Sequence, residues 1–186
     1  MRIRALIIAL LVLAAVSCTR KSDSETASAT NARWPKEALS PLNEGDLDQL
    51  VKALPALNGA LRAANWDTKP QRPGTNPLST LTDLVEGMNV AGVDESLRPY
   101  GGWAKIRPTL YKVYAASAAL VIDRASPELI ARMKQDTSEG AKKSMKDYDF
   151  FKAVCAQVPE ANKKMVARYE GQLQPLGSLG RGPQHP

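Results

Sequence analysis

The segment "WAKIRPTLYKVYAASAALVIDR", residues 103–124, gives the clearest indication of fold class in this sequence. Its apolar residues recur at steps of three or four positions, the spacing that places side chains on one face of an α-helix. That face contains Trp103, Ile106, Leu110, Tyr114, Ala118 and Val121. Small side chains within residues 115–119 would let a second helix approach closely, and Pro108 would bend the early turns. The segment therefore predicts a long amphipathic helix with a closely packed neighbour.

The same spacing continues on both sides of this segment. Apolar residues recur in this way from Leu47 to Leu61, from Leu78 to Met88, from Leu129 to Tyr148, from Phe151 to Val158 and from Ala161 to Leu173. Aromatic residues make up only 5% of the chain, so its core must be built from Leu, Ala, Val and Met. Strand-rich chains depend more on aromatic and β-branched residues. We expect an all-α fold, an irregular bundle of five to seven helices.

Several helix boundaries can be assigned from local sequence. Asn43 is a suitable N-cap for the helix that contains Leu47, and Ser126-Pro127-Glu128 combines a capping hydroxyl, a first-turn proline and an acid. Pro55 predicts a kink or a restart, because proline removes a helix hydrogen bond and clashes with the preceding turn. Gly140 is a weak point in the predicted helix from Ser126 to Tyr148.

The N-terminus has the layout of a secretory signal peptide. Arg2 and Arg4 precede an unbroken apolar run from Ala5 to Val16, and small Ser17 follows. Twelve apolar residues span about 18 Å as a helix, whereas a bilayer core needs about 20 residues. The run is therefore predicted to be a signal, residues 1–17, and not a permanent membrane span.

Ala15-Val16-Ser17-Cys18 resembles the lipobox of bacterial lipoproteins, although Ala15 occupies a position where Leu is usual. The resemblance covers residues 1–18 and implies cleavage before Cys18, acylation of its thiol and amine, and attachment to the cell envelope membrane. Thr19 replaces the Asp that favours retention at the inner membrane, which implies the periplasmic face of the outer membrane in a Gram-negative cell. The alternative is an ordinary signal peptide that leaves Cys18 as a free thiol or disulfide partner.

The remaining chain divides by composition. Residues 18–40 are rich in Ser, Thr and Ala and lack apolar periodicity, so we predict a flexible tether that carries the lipidated cysteine. We predict a helical domain over residues 41–175 and a disordered Gly/Pro-rich tail over residues 176–186. Residues 42–135 also loosely resemble poorly characterised helical proteins of bacterial envelopes, which implies no activity.

Most catalytic and cofactor chemistry lacks support in the sequence. The single histidine, His185, lies in the predicted tail, and no C-x-x-C, nucleotide-binding glycine motif or G-x-S-x-G elbow occurs. We therefore expect no cofactor and no metal. A cell-wall hydrolase would need only two suitably spaced acids, and the candidates for that alternative are Glu86, Asp94, Glu95 and Asp123.

The candidate interaction surface combines aromatic and basic residues. Tyr100 and Trp103 could form a ligand platform with Tyr111 and Tyr114, or Trp103 and Tyr114 could be core residues with polar tips. Lys142, Lys143 and Lys146 are spaced to share a helical face that contacts an anionic envelope component, or that is simply solvated. Lys163, Lys164 and Arg168 form a second basic group with the same two interpretations.

The net charge and the two cysteines bear on the partners that this protein could have. The formal charge of +6 falls to +4 once Arg2 and Arg4 are removed, too dispersed for a nucleic-acid-binding face. With Cys18 acylated, Cys155 has no partner within the chain and is expected to be a buried, inert thiol. An exposed Cys155 would instead favour a disulfide between two chains. We expect a lipid-anchored, non-catalytic binding module for an envelope protein or anionic envelope component, or alternatively a hydrolase or a carrier of an apolar ligand.

Overall fold

A computed structural model describes residues 34–66 and 77–178 of the chain. These residues form helices and no strands, which confirms the predicted all-α class. In chain order the α-helices are α1 (Lys36–Leu39), α2 (Glu44–Ala63), α3 (Pro77–Gly87), α4 (Val93–Leu97), α5 (Trp103–Asp123), α6 (Pro127–Gln135), α7 (Glu139–Cys155), α8 (Glu160–Arg168) and α9 (Glu170–Leu173). Two 3₁₀-helices, Arg98–Tyr100 and Gln174–Ser178, follow α4 and α9.

Helix α5 is the central element of the bundle. It packs against α1, α2, α3, α7 and α8. Trp103, Ile106, Leu110 and Ala118 of the predicted apolar face are buried, and Val113, Ala115, Ala116 and Ala119 are buried on other sides of the same helix. Because α5 has neighbours on most of its sides, its small residues serve several helix contacts and not one.

Helix α2 supplies the second large part of the core. Leu47, Leu50, Leu57 and Leu61 are fully buried. The helix begins as predicted, since the Asn43 Oδ1 accepts a hydrogen bond from the Asp46 N–H at 2.8 Å. Of the kink or restart predicted at Pro55, the restart is wrong, because α2 continues through Pro55 to Ala63.

The predicted helix from Ser126 to Tyr148 is divided into α6 and α7. Ser126 caps α6 as expected, with its Oγ accepting from the Leu129 N–H at 3.3 Å. The break lies at residues 136–138 and not at Gly140. There the Asp136 Oδ1 accepts from the Ser138 N–H at 2.9 Å, and the Ser138 Oγ accepts from the Ala141 N–H at 3.2 Å. These short polar side chains bind backbone groups that a continuous helix would use.

The folded body includes residues 34–40, which were predicted to belong to the tether. Trp34 is 4% exposed and its Nε1 donates to the Val154 carbonyl at 3.2 Å. Ala38 of α1 is fully buried, and the Lys112 Nζ donates to the Pro41 carbonyl at 3.0 Å. The tether prediction fails for residues 34–40 because these contacts come from remote helices and leave no periodic pattern in the segment.

The folded body also extends further at its C-terminal end than predicted. Leu176, in the last 3₁₀-helix, is partly buried against the core, so the body extends beyond residue 175. The rest of the predicted tail, residues 179–186, lies outside the described residues. So do the predicted signal peptide, Cys18, and the tether as far as residue 33.

Candidate interaction surface

The aromatic half of the predicted surface belongs to the core. Trp103 is only 7% exposed and Tyr100 is partly buried against the core cluster. The Tyr100 carbonyl accepts from the Gln49 Nε2 at 2.5 Å. Tyr111 is 5% exposed and its hydroxyl donates to the Glu86 Oε1 at 2.6 Å. Trp103 therefore matches the alternative of a core residue, and Tyr111 joins α5 to α3 through Glu86.

A carboxylate from α4 holds Trp103 at the start of α5. Gly102 has a φ of 79°, and a Cβ there would lie 2.9 Å from the Asp94 Oδ1. That oxygen accepts from the Trp103 N–H at 2.7 Å. Asp94 thus acts as the N-cap that Gly102, having no side chain, cannot provide.

The basic half of the predicted surface is exposed on α7. Lys142, Lys143 and Lys146 lie within little more than one turn of that helix. The Lys142 Nζ forms an ion pair with the Glu139 Oε1 at 2.6 Å. Lys143 and Lys146 have no ion pair among the described residues, and their charges oppose the burial that raises the pKa of Asp147. Because Trp103 is buried in the core and Tyr100 is partly buried against it, the five predicted residues do not form one exposed surface.

Helix α6 carries an apolar surface that the sequence pattern did not distinguish from the core. None of its nine residues is buried, and it packs chiefly against α7. Leu129 is 46% exposed and is the only exposed large hydrophobic residue in the described part of the chain. Ile130 and Met133 are half-buried beside it. The helical spacing of these residues predicted an apolar face but could not show that the face lacks a cover.

A cleft of about 350 Å³ lies where α5, α7 and α8 meet. It is lined by Ile122, Asp123, Ala125, Tyr148, Lys152, Cys155, Ala156 and Lys163. The Lys163 Nζ lies 2.7 Å from the Asp123 Oδ2 and 2.7 Å from the Glu160 Oε2. With one acid and two lysines in its lining, the cleft fits neither the acid pair that a glycosidase needs nor a purely apolar ligand.

Cys155 lies at the inner side of this cleft and is 3% exposed. Burial, together with the nearby Asp123 charge, raises the pKa of the Cys155 thiol to about 12, against a smaller opposing effect of Lys163. A thiol with this pKa is neutral at physiological pH and a poor nucleophile. The prediction of a buried cysteine is confirmed.

The candidate acids have structural contacts. Glu86 binds the Tyr111 hydroxyl and pairs with Arg107 at 3.3 Å, Asp94 caps α5, and Asp123 pairs with Lys163. Glu95 is exposed on α4. Within residues 34–66 and 77–178, no three His, Cys, Asp or Glu side chains are grouped as metal ligands.

Comparison of the chain with protein-family models, curated proteins and solved structures finds no match in any of the three. Over the described residues, no helix has the length and apolar character needed to cross a membrane.

Proposed function

We propose that this protein is a non-catalytic interaction module held at a bacterial envelope membrane by acyl chains on Cys18. The observation that carries the proposal is the sequence from Arg2 to Cys18, in which a basic start, a short apolar run and small residues end at a cysteine. Two or three acyl chains would anchor a protein stably, because each buried CH₂ contributes about 0.8 kcal/mol.

The position of the folded body supports this arrangement. Trp34 is the first described residue, sixteen positions after Cys18, and it is buried against α7 through its contact with Val154. The acylated residue would therefore be separate in sequence from the packed bundle. With Thr19 after the cysteine, the proposed location in a Gram-negative cell is the periplasmic face of the outer membrane.

The non-catalytic part of the proposal is supported by how the polar groups are used. Glu86, Asp94 and Asp123 pair with cations, a hydroxyl or a backbone N–H. The cleft beside Cys155 has a neutral thiol and one lining acid.

The test is fractionation of a Gram-negative host that expresses the full chain, with Cys18→Ala as the matched variant. The wild-type protein should sediment with membranes and enter the detergent phase, and Cys18→Ala should lose both properties. Wild-type protein recovered wholly in the soluble fraction after signal cleavage would contradict the anchor. An enzymatic role would be supported instead if purified protein cleaved peptidoglycan and Asp123→Asn abolished that cleavage.

A further inference from the structure

We infer that residues 125–149, which contain α6 and the first part of α7, open and close as a separate unit that is less stable than the rest of the bundle. These residues are called the arm, and the other described residues are called the body. The feature that carries the inference is that no residue of the arm is buried. The inference concerns the folded bundle alone and does not depend on acylation of Cys18.

The hydrophobic core stops at the two ends of the arm. Ile122, near the end of α5, and Phe150, in α7, pack against the core, and no apolar residue between them belongs to it or packs against it. Helices α2 and α5, by contrast, bury residues along most of their length. Because apolar burial is the main free energy that opposes unfolding, the arm can open at a smaller cost than the body.

The polar contacts that shape the arm are internal to it. Ser126 caps α6, and Asp136 accepts from the N–H of Ser138, which in turn caps α7. The ion pair between Lys142 and Glu139 also lies within the arm and is exposed, and exposed pairs of this kind contribute little stability. These contacts hold the two helices in shape, but they do not tie the arm to the body.

The helices of the arm are too short to persist on their own. Helix α6 has nine residues, and isolated helices shorter than about 12–15 residues are only marginally stable in water. The apolar burial within the arm is partial, at half-buried side chains such as Ile130, Met133 and Tyr148. We therefore expect opening to be a local unfolding of both helices and not the swing of a rigid hairpin.

The cleft beside Cys155 lies where the arm meets the body. Its lining includes Ala125 and Tyr148 from the arm, and Asp123, Cys155 and Lys163 from the body. When the arm opens, the cleft loses the side that Tyr148 forms. The arm is thus a conformational device that determines whether this cleft is complete.

Hydrogen exchange of the purified full protein, followed by mass spectrometry, tests the inference. It is measured under conditions where the exchange rate is proportional to the open population. The amides of the arm should have protection factors at least about a hundredfold lower than those of α2 and of the centre of α5. Equal protection in the arm and in α5 would overturn the inference, because the two would then open together.

A matched pair of glycine variants separates opening of the arm from unfolding of the whole protein. Lys52 in α2 and Ala131 in α6 are both exposed inside their helices, so glycine weakens each helix without disturbing the core. Lys52→Gly should speed exchange in α2 and α5 about three- to fivefold and leave exchange in the arm unchanged. Ala131→Gly should speed exchange in the arm by a similar factor, and in the body as well, because the arm is also open when the whole protein unfolds.

The Lys52→Gly variant gives the decisive comparison. Exchange in its arm that rises by the same factor as exchange in α5 would overturn the inference, since arm and body would then unfold in one step. Unchanged exchange in the arm of Ala131→Gly would also overturn it, because the observed exchange would not then come from unfolding of α6.

Discussion

The side chain of Asn162, on α8, holds the backbone of Leu42, 120 positions earlier in the chain. The Asn162 Oδ1 accepts from the Leu42 N–H at 2.9 Å, and its Nδ2 donates to the Ser40 carbonyl at 2.9 Å. Asn162 is 1% exposed. One buried amide thus joins the start of the folded body to its C-terminal helices.

Replacing this amide should destabilise the protein strongly. Asn162→Leu removes the amide oxygen and nitrogen and leaves the Leu42 N–H and the Ser40 carbonyl unpaired. The free energy of unfolding should therefore fall by about 2–4 kcal/mol. Urea denaturation measures the loss. The control Asn89→Ala changes an exposed asparagine and should cost less than about 0.5 kcal/mol. Equal stability of Asn162→Leu and wild type would mean that residues 40–42 are not docked as described.

Two leucines of similar sequence context should differ sharply in their contribution to stability. Leu110 is fully buried in α5, so Leu110→Ala should cost about 2–5 kcal/mol. Leu129 is 46% exposed, so Leu129→Ala should cost less than about 0.5 kcal/mol. Thermal or urea unfolding compares the two variants. A large loss from Leu129→Ala would place α6 in the core and remove the basis for a free apolar face.

The Cys155 thiol should react slowly in the folded protein. With its pKa raised to about 12 from an ordinary 9.0, its thiolate is about a thousandfold scarcer at pH 8 than that of an unperturbed thiol. Labelling of the non-acylated Cys18→Ala chain with iodoacetamide is monitored by mass spectrometry. It should be slow in buffer and fast in denaturant. Rapid labelling in buffer would show that Cys155 is accessible.

The same pKa predicts a pH dependence of stability. Because the folded state keeps the thiol protonated, Cys155 contributes its full stability below pH 9, and this contribution is lost as pH rises towards 12. Between pH 9 and pH 10 the stability of Cys18→Ala should fall by about 1 kcal/mol more than that of a Cys18→Ala, Cys155→Ala double variant. Tyr111 and Tyr114 also have raised pKa values through burial, but their effect begins near their ordinary value of 10.0. Parallel pH curves for the two variants would contradict the burial of the thiol.

Asp94 should behave as a helix cap and not as a catalytic acid. Asp94→Ala removes the acceptor for the Trp103 N–H and should cost about 1 kcal/mol. Asp94→Asn retains a side-chain oxygen at the same place and should cost less. Urea unfolding of the two variants measures the difference. If both variants lost the same stability, the hydrogen bond to Trp103 would not be the reason for the loss.

The long helices could be predicted because the spacing of their apolar residues along the sequence indicates which face is buried. Leu47 to Leu61 and Trp103 to Val121 recur at helical steps, and Asn43 and Ser126 cap their helices with their own side chains. The buried state of Cys155 followed from its position between Val154 and Val158 for the same reason.

The remaining features depend on partners far away in the chain. Residues 34–41 have no periodic pattern, and contacts from Lys112, Val154 and Asn162 hold them in place. The apolar face of α6 has the same spacing as a buried helix, and spacing reports which side is apolar but not what covers it. For Trp103 the sequence left a binding platform and a core position open, because an aromatic residue near glycines fits both equally well.

The central claim is that Cys18 is the acylated first residue of the mature protein, and mass spectrometry of the N-terminal peptide from membrane-purified protein tests it most directly. The account predicts a peptide that begins at Cys18 and carries a diacylglycerol group on its sulfur. A mature N-terminus at another residue, or a Cys18 with an unmodified thiol, would contradict the account.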